Sequence, residues 1–124
     1  MKIEHFALNV DDPRAMARWY VENLAMRVVR SSDESPYITF LEPADGGTMI
    51  ELYTNPAGEF LDYGRLHALT FHIAFTTDDI VHDRARLIDA GASADGDITT
   101  TAKGDQLAIL RDPWGTAVQL VMRA

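Results

Sequence analysis

His5-Phe6-Ala7-Leu8-Asn9-Val10-Asp11-Asp12 returns 67 residues later as His72-Ile73-Ala74-Phe75-Thr76-Thr77-Asp78-Asp79. Further along, Thr48-Met49-Ile50-Glu51-Leu52 is answered at an offset of 68 by Thr116-Ala117-Val118-Gln119-Leu120. Leu41-Glu42-Pro43 is loosely answered by Leu110-Arg111-Asp112-Pro113. Two half-chains therefore share one plan. Each half offers an imidazole and a side-chain oxygen able to bind a metal: His5 with Glu51, and His72 with Gln119. A two-fold arrangement of the halves would bring all four to its axis.

The chain has 124 residues, 47% of them hydrophobic and 24% charged, which is ordinary composition for one globular domain large enough to bury a core. A formal charge of −8 with no Lys/Arg cluster argues against a nucleic-acid partner. The absence of Cys leaves no disulfide framework and no thiolate chemistry, and fits a reducing cytoplasm. Met1-Lys2-Ile3-Glu4-His5 carries no apolar targeting stretch, so a soluble, cytoplasmic protein without membrane association is expected.

Ile3 to Val10 alternates, with Phe6, Leu8 and Val10 on one face and His5, Ala7 and Asn9 on the other, as in a half-buried strand. Asp11-Asp12-Pro13 then signals a helix start, and Met16, Trp19, Tyr20 and Leu24 follow at helical spacing. The second half repeats this with Asp78 or Asp79 as cap, then Ile80, Arg84, Leu87 and Ile88, stopping before Gly91. Three strands are expected after each helix. In the first half they are Val28 to Ser32, Tyr37 to Glu42 and Thr48 to Thr54, the last two joined at Asp45-Gly46-Gly47. In the second half they are Ala94 to Thr99, Gln106 to Arg111 and Thr116 to Met122, with Asp112-Pro113-Trp114-Gly115 as the corresponding turn. Each half thus reads βαβββ, over about residues 1–55 and 67–124, within one domain spanning 1–124. Asn55 to Leu66 is the linker, too short to separate independent domains.

Alternate side chains of a strand face opposite ways. Met49 and Tyr53 therefore share the face of Glu51, Thr70 and Ala74 that of His72, and Ala117 and Val121 that of Gln119. In every case the polar candidate opposes the large apolar residues that would meet a helix. A second, concave side of the sheet with a small polar centre follows.

These motifs, His5-Phe6-Ala7-Leu8, Asp11-Asp12-Pro13 with Trp19-Tyr20, Ile50-Glu51-Leu52, His72-Ile73-Ala74-Phe75, and Asp112-Pro113-Trp114-Gly115 leading to Gln119-Leu120, resemble the vicinal oxygen chelate superfamily of glyoxalases, bleomycin-resistance proteins and extradiol dioxygenases. The likeness spans essentially the whole chain. It implies an α+β fold in which paired βαβββ modules form a half-open mixed-sheet barrel. It also implies a divalent metal (Zn, Ni, Co, Fe or Mn) held by His5, Glu51, His72 and Gln119. Two positions depart from the pattern: Gln119 stands where Glu is common, and Ala25 follows the first helix where Gly is common. An amide oxygen coordinates but brings no charge and takes no proton, so Glu51 is the single carboxylate available as ligand, as base, or as both.

With a metal, the resemblance implies lyase- or isomerase-type chemistry on a small substrate with adjacent oxygens, through an enediolate-like intermediate. Extradiol oxygenation is disfavoured by Gln119. The alternative class is a metal-free binding protein of the bleomycin-resistance kind, in which Glu51 hydrogen-bonds to one or both imidazoles and an acidic surface suits a cationic ligand. Tyr53, Thr70 and Lys103 are the candidate substrate contacts. Asn55 to Leu66 and Thr99 to Asp105 are either lids at a cleft mouth or passive connections. His67 is expected to pack at a loop or strand edge and His82 to lie on the surface. The four aspartates at the helix starts are expected as caps, and Trp19 and Tyr20 as core. Relatives of this size pair as homodimers, either edge to edge or by exchange of half-chains.

Overall fold

The computed structural model describes residues 1–124 and divides into two compact units, Met1–Leu61 and Asp62–Ala124. The first contains β1 (His5–Asn9), α1 (Pro13–Asn23), β2 (Met26–Ser31), β3 (Thr39–Pro43) and β4 (Met49–Tyr53). The second opens with a 3-10 turn (Tyr63–Arg65). It continues with β5 (Ile73–Thr76), α2 (Ile80–Asp89), β6 (Ser93–Ala94), β7 (Thr99–Thr100), β8 (Gln106–Arg111) and β9 (Ala117–Met122). Both units are α+β, and no helix is long and apolar enough to cross a membrane.

The first sheet has the order β1-β4-β3-β2, with β1 parallel to β4 and the other pairs antiparallel. The second repeats it as β5-β9-β8, again with a parallel first pair, and β8 then carries both β6 and β7 along its other edge. The duplication extends to register: Ala7 stands opposite Glu51 and Ala74 opposite Gln119. The single strand expected over Ala94 to Thr99 is instead two short pieces. Gly96 lies at φ +85° between Asp95 and Asp97, and this polar segment loops out of the ladder. His72 precedes β5 and Thr70 belongs to a turn, so the strand face expected to carry Thr70 with His72 and Ala74 is not formed.

Local chemistry explains both helices. Asp12 Oδ1 accepts the Ala15 N–H at 3.1 Å with Pro13 in the first turn, and Asp79 Oδ1 accepts the His82 N–H at 3.0 Å. Of the four aspartates expected as caps, Asp12 and Asp79 are the N-caps, and Asp11 and Asp78 precede them outside the helices. Met16, Trp19 and Tyr20 on α1 are buried, as are Leu8, Leu41, Ile50 and Leu52 on the strands beneath. In the second unit Ile80 and Leu87 of α2 are buried with Leu110, Val118 and Leu120. Each such side chain stabilises its unit by roughly 1.5–3 kcal/mol. Asp112 is buried in the β8–β9 turn, where its Oδ1 accepts the N–H groups of Trp114 and Thr116 at 2.9 and 2.8 Å.

The helix exits differ. Gly91 ends α2 at φ +109°, whereas Ala25 follows α1 at φ +51°, a conformation that costs an L-residue roughly 1–2 kcal/mol. Ala25→Gly is therefore expected to stabilise the protein by about 1 kcal/mol, and Gly91→Ala to destabilise it by at least as much, as shifts of the urea midpoint without a change in slope.

Asp83 in α2 accepts hydrogen bonds from Thr77 Oγ1 and Arg86 Nε. Burial raises its carboxyl, but these hydrogen bonds and the Arg86 charge outweigh that effect and hold it below its ordinary value. A depressed folded value stabilises the fold above the unfolded carboxylate range, and the benefit disappears as pH falls through the folded value. Asp83→Asn should thus lower stability at neutral pH and show a shallower loss in acid than the parent, read from unfolding midpoints across a pH series.

Candidate functional site

In the first unit the site begins with the parallel pairing of β1 and β4. That pairing puts His5 and Glu51 on the same face, one register step apart along the strands, with Nε2 and Oε2 3.0 Å from each other. The Glu51 side chain is 14% exposed and that of His5 34%. On the other side of the ring, His5 Nδ1 lies 2.9 Å from Glu4 Oε1. Both carboxylates only accept, so a neutral ring can donate to one of them, and a cation between Nε2 and Oε2, either a proton or a metal ion, lets Nδ1–H donate to Glu4 while the Glu51 contact is also satisfied. Two ligand atoms with bonds of about 2.1 Å stand about 3.0 Å apart at a right angle and about 3.4 Å at the tetrahedral angle, so the spacing of this pair is compatible with two neighbouring positions on one divalent ion.

Phe40 of β3 stands directly opposite Glu51, and its ring meets His5 edge-on with centroids 5.3 Å apart. Arg30 lies over the Phe40 ring at 5.6 Å, and Arg27 pairs with Glu42 on the same pair of strands. Tyr53 shares the Glu51 face, two residues on. Strand parity marked Tyr53. The same parity over Tyr37 to Glu42, combined with the hairpin register, is the signal that would have found Phe40. Glu4 had none, because neighbouring residues of a strand alternate faces.

The second unit builds its pair differently. His72 Nδ1 lies 2.7 Å from the Ala68 carbonyl oxygen, which can only accept. Nδ1 is therefore protonated and Nε2 carries the lone pair. Gln119 projects from β9 between Ala74 of β5 and Ile109 of β8, in the same position relative to β5 that Glu51 holds relative to β1. Within either unit no three His, Asp or Glu side chains gather as a metal-binding group.

Thr70 is exposed in the turn before His72. Lys103 sits in the turn between β7 and β8, at the end of β8 away from Arg111. His67 is exposed in the loop and lines a cavity of about 460 Å³ with Leu66, Ala68, Asp95 and Ile109. Its Nδ1 accepts the Leu69 N–H at 3.1 Å. His82 is on the surface, and Trp19 and Tyr20 are core.

The linker is tied down at its start. Asn9 Oδ1 accepts from Asn55 N, and its Nδ2 donates to the carbonyls of Asn55 and Glu59. Gly58 packs so closely that a Cβ there would lie 3.2 Å from Asn9 Nδ2.

Residues 2–120 match the model of the Glyoxalase/Bleomycin resistance protein/Dioxygenase superfamily, and the chain belongs to that superfamily. No curated protein matches it. Among solved structures, it is similar to TnmS3, an antibiotic-binding protein from Streptomyces sp. CB03234, at 22% identity over 100% of this chain and 97% of that one, with a TM-score of 0.76. A superfamily enzyme from Burkholderia phytofirmans aligns over 100% of both chains at 17% identity and TM-score 0.80. A superfamily member from Sphaerobacter thermophilus does so over 99% and 98% at 18% identity and 0.78. These likenesses establish the glyoxalase-type α+β fold.

Asn9→Ala is expected to cost about 1–2 kcal/mol and to speed limited proteolysis within residues 55–61, with the second unit cut no faster than in the parent.

Proposed function

We propose that the protein is a metal-dependent enzyme of the lyase or isomerase type, acting on a small molecule with two adjacent oxygens. His5, Glu51, His72 and Gln119 are its ligand set. The observation that carries this reading is the matched orientation of the two imidazoles. Each has Nδ1 within hydrogen-bond distance of an oxygen acceptor, Glu4 at 2.9 Å and Ala68 O at 2.7 Å, and with the proton on Nδ1 each leaves Nε2 for a cation. Histidines that ligate metals are oriented by this outer hydrogen bond. When bound, the divalent ion supplies Lewis-acid polarisation of the substrate oxygens.

The remaining work falls to the chain's own side chains. Glu51, the only carboxylate of the four, takes the proton from the carbon beside the substrate carbonyl, the loss that gives an enediolate-like species, and returns it. Gln119, unable to accept that proton, holds and orients. Tyr53 and Thr70 contact the substrate, and Phe40 keeps water from the His5 ring. Function in the cytoplasm and as a homodimer, each metal site drawing on both modules, completes the proposal.

A second reading is favoured by the likeness to TnmS3: capture of a small molecule without turnover, with a proton rather than a metal between His5 and Glu51.

Protein purified without a metal-affinity tag is expected to carry one divalent ion per chain. Glu51→Gln and His72→Ala should each weaken zinc binding by more than about 100-fold, beyond the 10–100-fold typical of outer-shell changes. If elemental analysis and titration find no ion under any loading, the enzyme reading fails. Thermal shifts with cationic antibiotics and no turnover of dicarbonyl adducts would then support capture.

A further inference from the structure

Arg111 is the last residue of β8 and stands opposite Ala117 of β9, on the face that carries Ile109 and Gln119. Its side chain is only 17% exposed. Nε and Nη2 both lie 2.9 Å from Asp95 Oδ2, while Nη1 donates to the carbonyls of Leu66 at 2.9 Å and of Tyr63 and Gly115 at 3.3 Å. The guanidinium thus gathers both ends of the 3-10 turn and the β8–β9 turn around one planar fork. Gly64 and Gly115 meet at the same place: a Cβ on Gly115 would lie 2.7 Å from Gly64 Cα.

Beyond Leu66 the chain is held by bonds within its own turn. His67 O accepts from Thr70 N at 2.8 Å and Phe71 N at 3.3 Å, and Ala68 O accepts from His72 Nδ1. That turn joins the sheet through Leu66, whose carbonyl Arg111 holds, and this anchor places the Ala68 carbonyl relative to His72. A neutral histidine in water favours the tautomer with the proton on Nε2, so the form with the Nε2 lone pair predominates only while an acceptor stays at Nδ1. The first unit supplies that acceptor with Glu4. The second supplies it with backbone, and backbone needs an anchor.

We propose that Arg111 is a positioning residue for His72: by fixing the turn that presents the Ala68 carbonyl, it sets the His72 tautomer and keeps Nε2 available. The role rests on the reading of His72 as a ligand. Lysine cannot replace it, because a single ammonium does not reach Asp95 and three carbonyls from the directions a fork serves.

The test is long-range proton–nitrogen correlation spectroscopy of the metal-free protein above the imidazole titration range, with Arg111→Lys and Arg111→Met. In the parent, His72 Nε2 should resonate as an unprotonated nitrogen. In both variants the proton should move to Nε2 as the major form, with the exposed His82 unchanged, and zinc affinity should fall at least about 10-fold. Should Arg111→Met not fold, Arg111→Lys decides. A His72 tautomer that stays as in the parent overturns the proposal, whatever happens to the melting temperature. If the tautomer moves but the parent binds no zinc, the positioning role stands and the metal reading fails. If the parent binds zinc and the tautomer stays, the reverse holds.

Discussion

The parallel pairing of the first and last strands of each module is the constraint from which the site follows. Consecutive strands pair antiparallel through short turns, but β1 and β4, like β5 and β9, are joined only through everything between them. In the first module the pairing sets the His5 imidazole at the start of β1 beside the Glu51 carboxylate on β4, and in the second it places Gln119 of β9 opposite Ala74, two residues after His72. The helix on the other side is what stabilises it: Tyr20 and Met16 of α1 are buried together with Leu52 and Ile50 on the reverse of Glu51's strand.

The two modules keep the strand register with different chemistry. In the first, a carboxylate stands at His5 Nδ1 and a second carboxylate faces Nε2. In the second, a backbone carbonyl holds His72 Nδ1 and a neutral amide stands in the carboxylate's place. Were the four to hold a divalent ion, as proposed, the single negative ligand would keep the net charge of the site positive, which suits polarisation of substrate oxygens better than a fully neutralised site would. Arg111, standing where the first module has Glu42, belongs to the same divergence: the module that relies on backbone for its histidine also carries the guanidinium that fixes that backbone.

Much of this was legible in the linear chain because period and repetition survive without tertiary contacts. The repeated His-x-Ala strand, the Asp caps before Pro13 and Ile80, and the turns at Gly46-Gly47 and Asp112–Gly115 all depend on neighbours a few residues away. Strand parity sorted Glu51 and Tyr53 from Ile50 and Leu52. It misplaced Thr70, since parity presumes a strand and residues 67–71 form a turn whose hydrogen bonds are local. It also could not foresee the break between β6 and β7, where one glycine at positive φ outweighs the β propensity around it.

By itself the sequence determined the two-module α+β plan, the helix limits and the identity of the four polar candidates, because these are set by residue type and spacing. Tertiary structure alone decided which atoms of those residues are free. The tautomer of His72 depends on a carbonyl four residues back, that carbonyl on a guanidinium some forty residues on, and the His5 ring on Glu4, Glu51 and Phe40 arriving from three directions. Hydrogen-bond direction is a property of folded geometry, and no spacing rule encodes it.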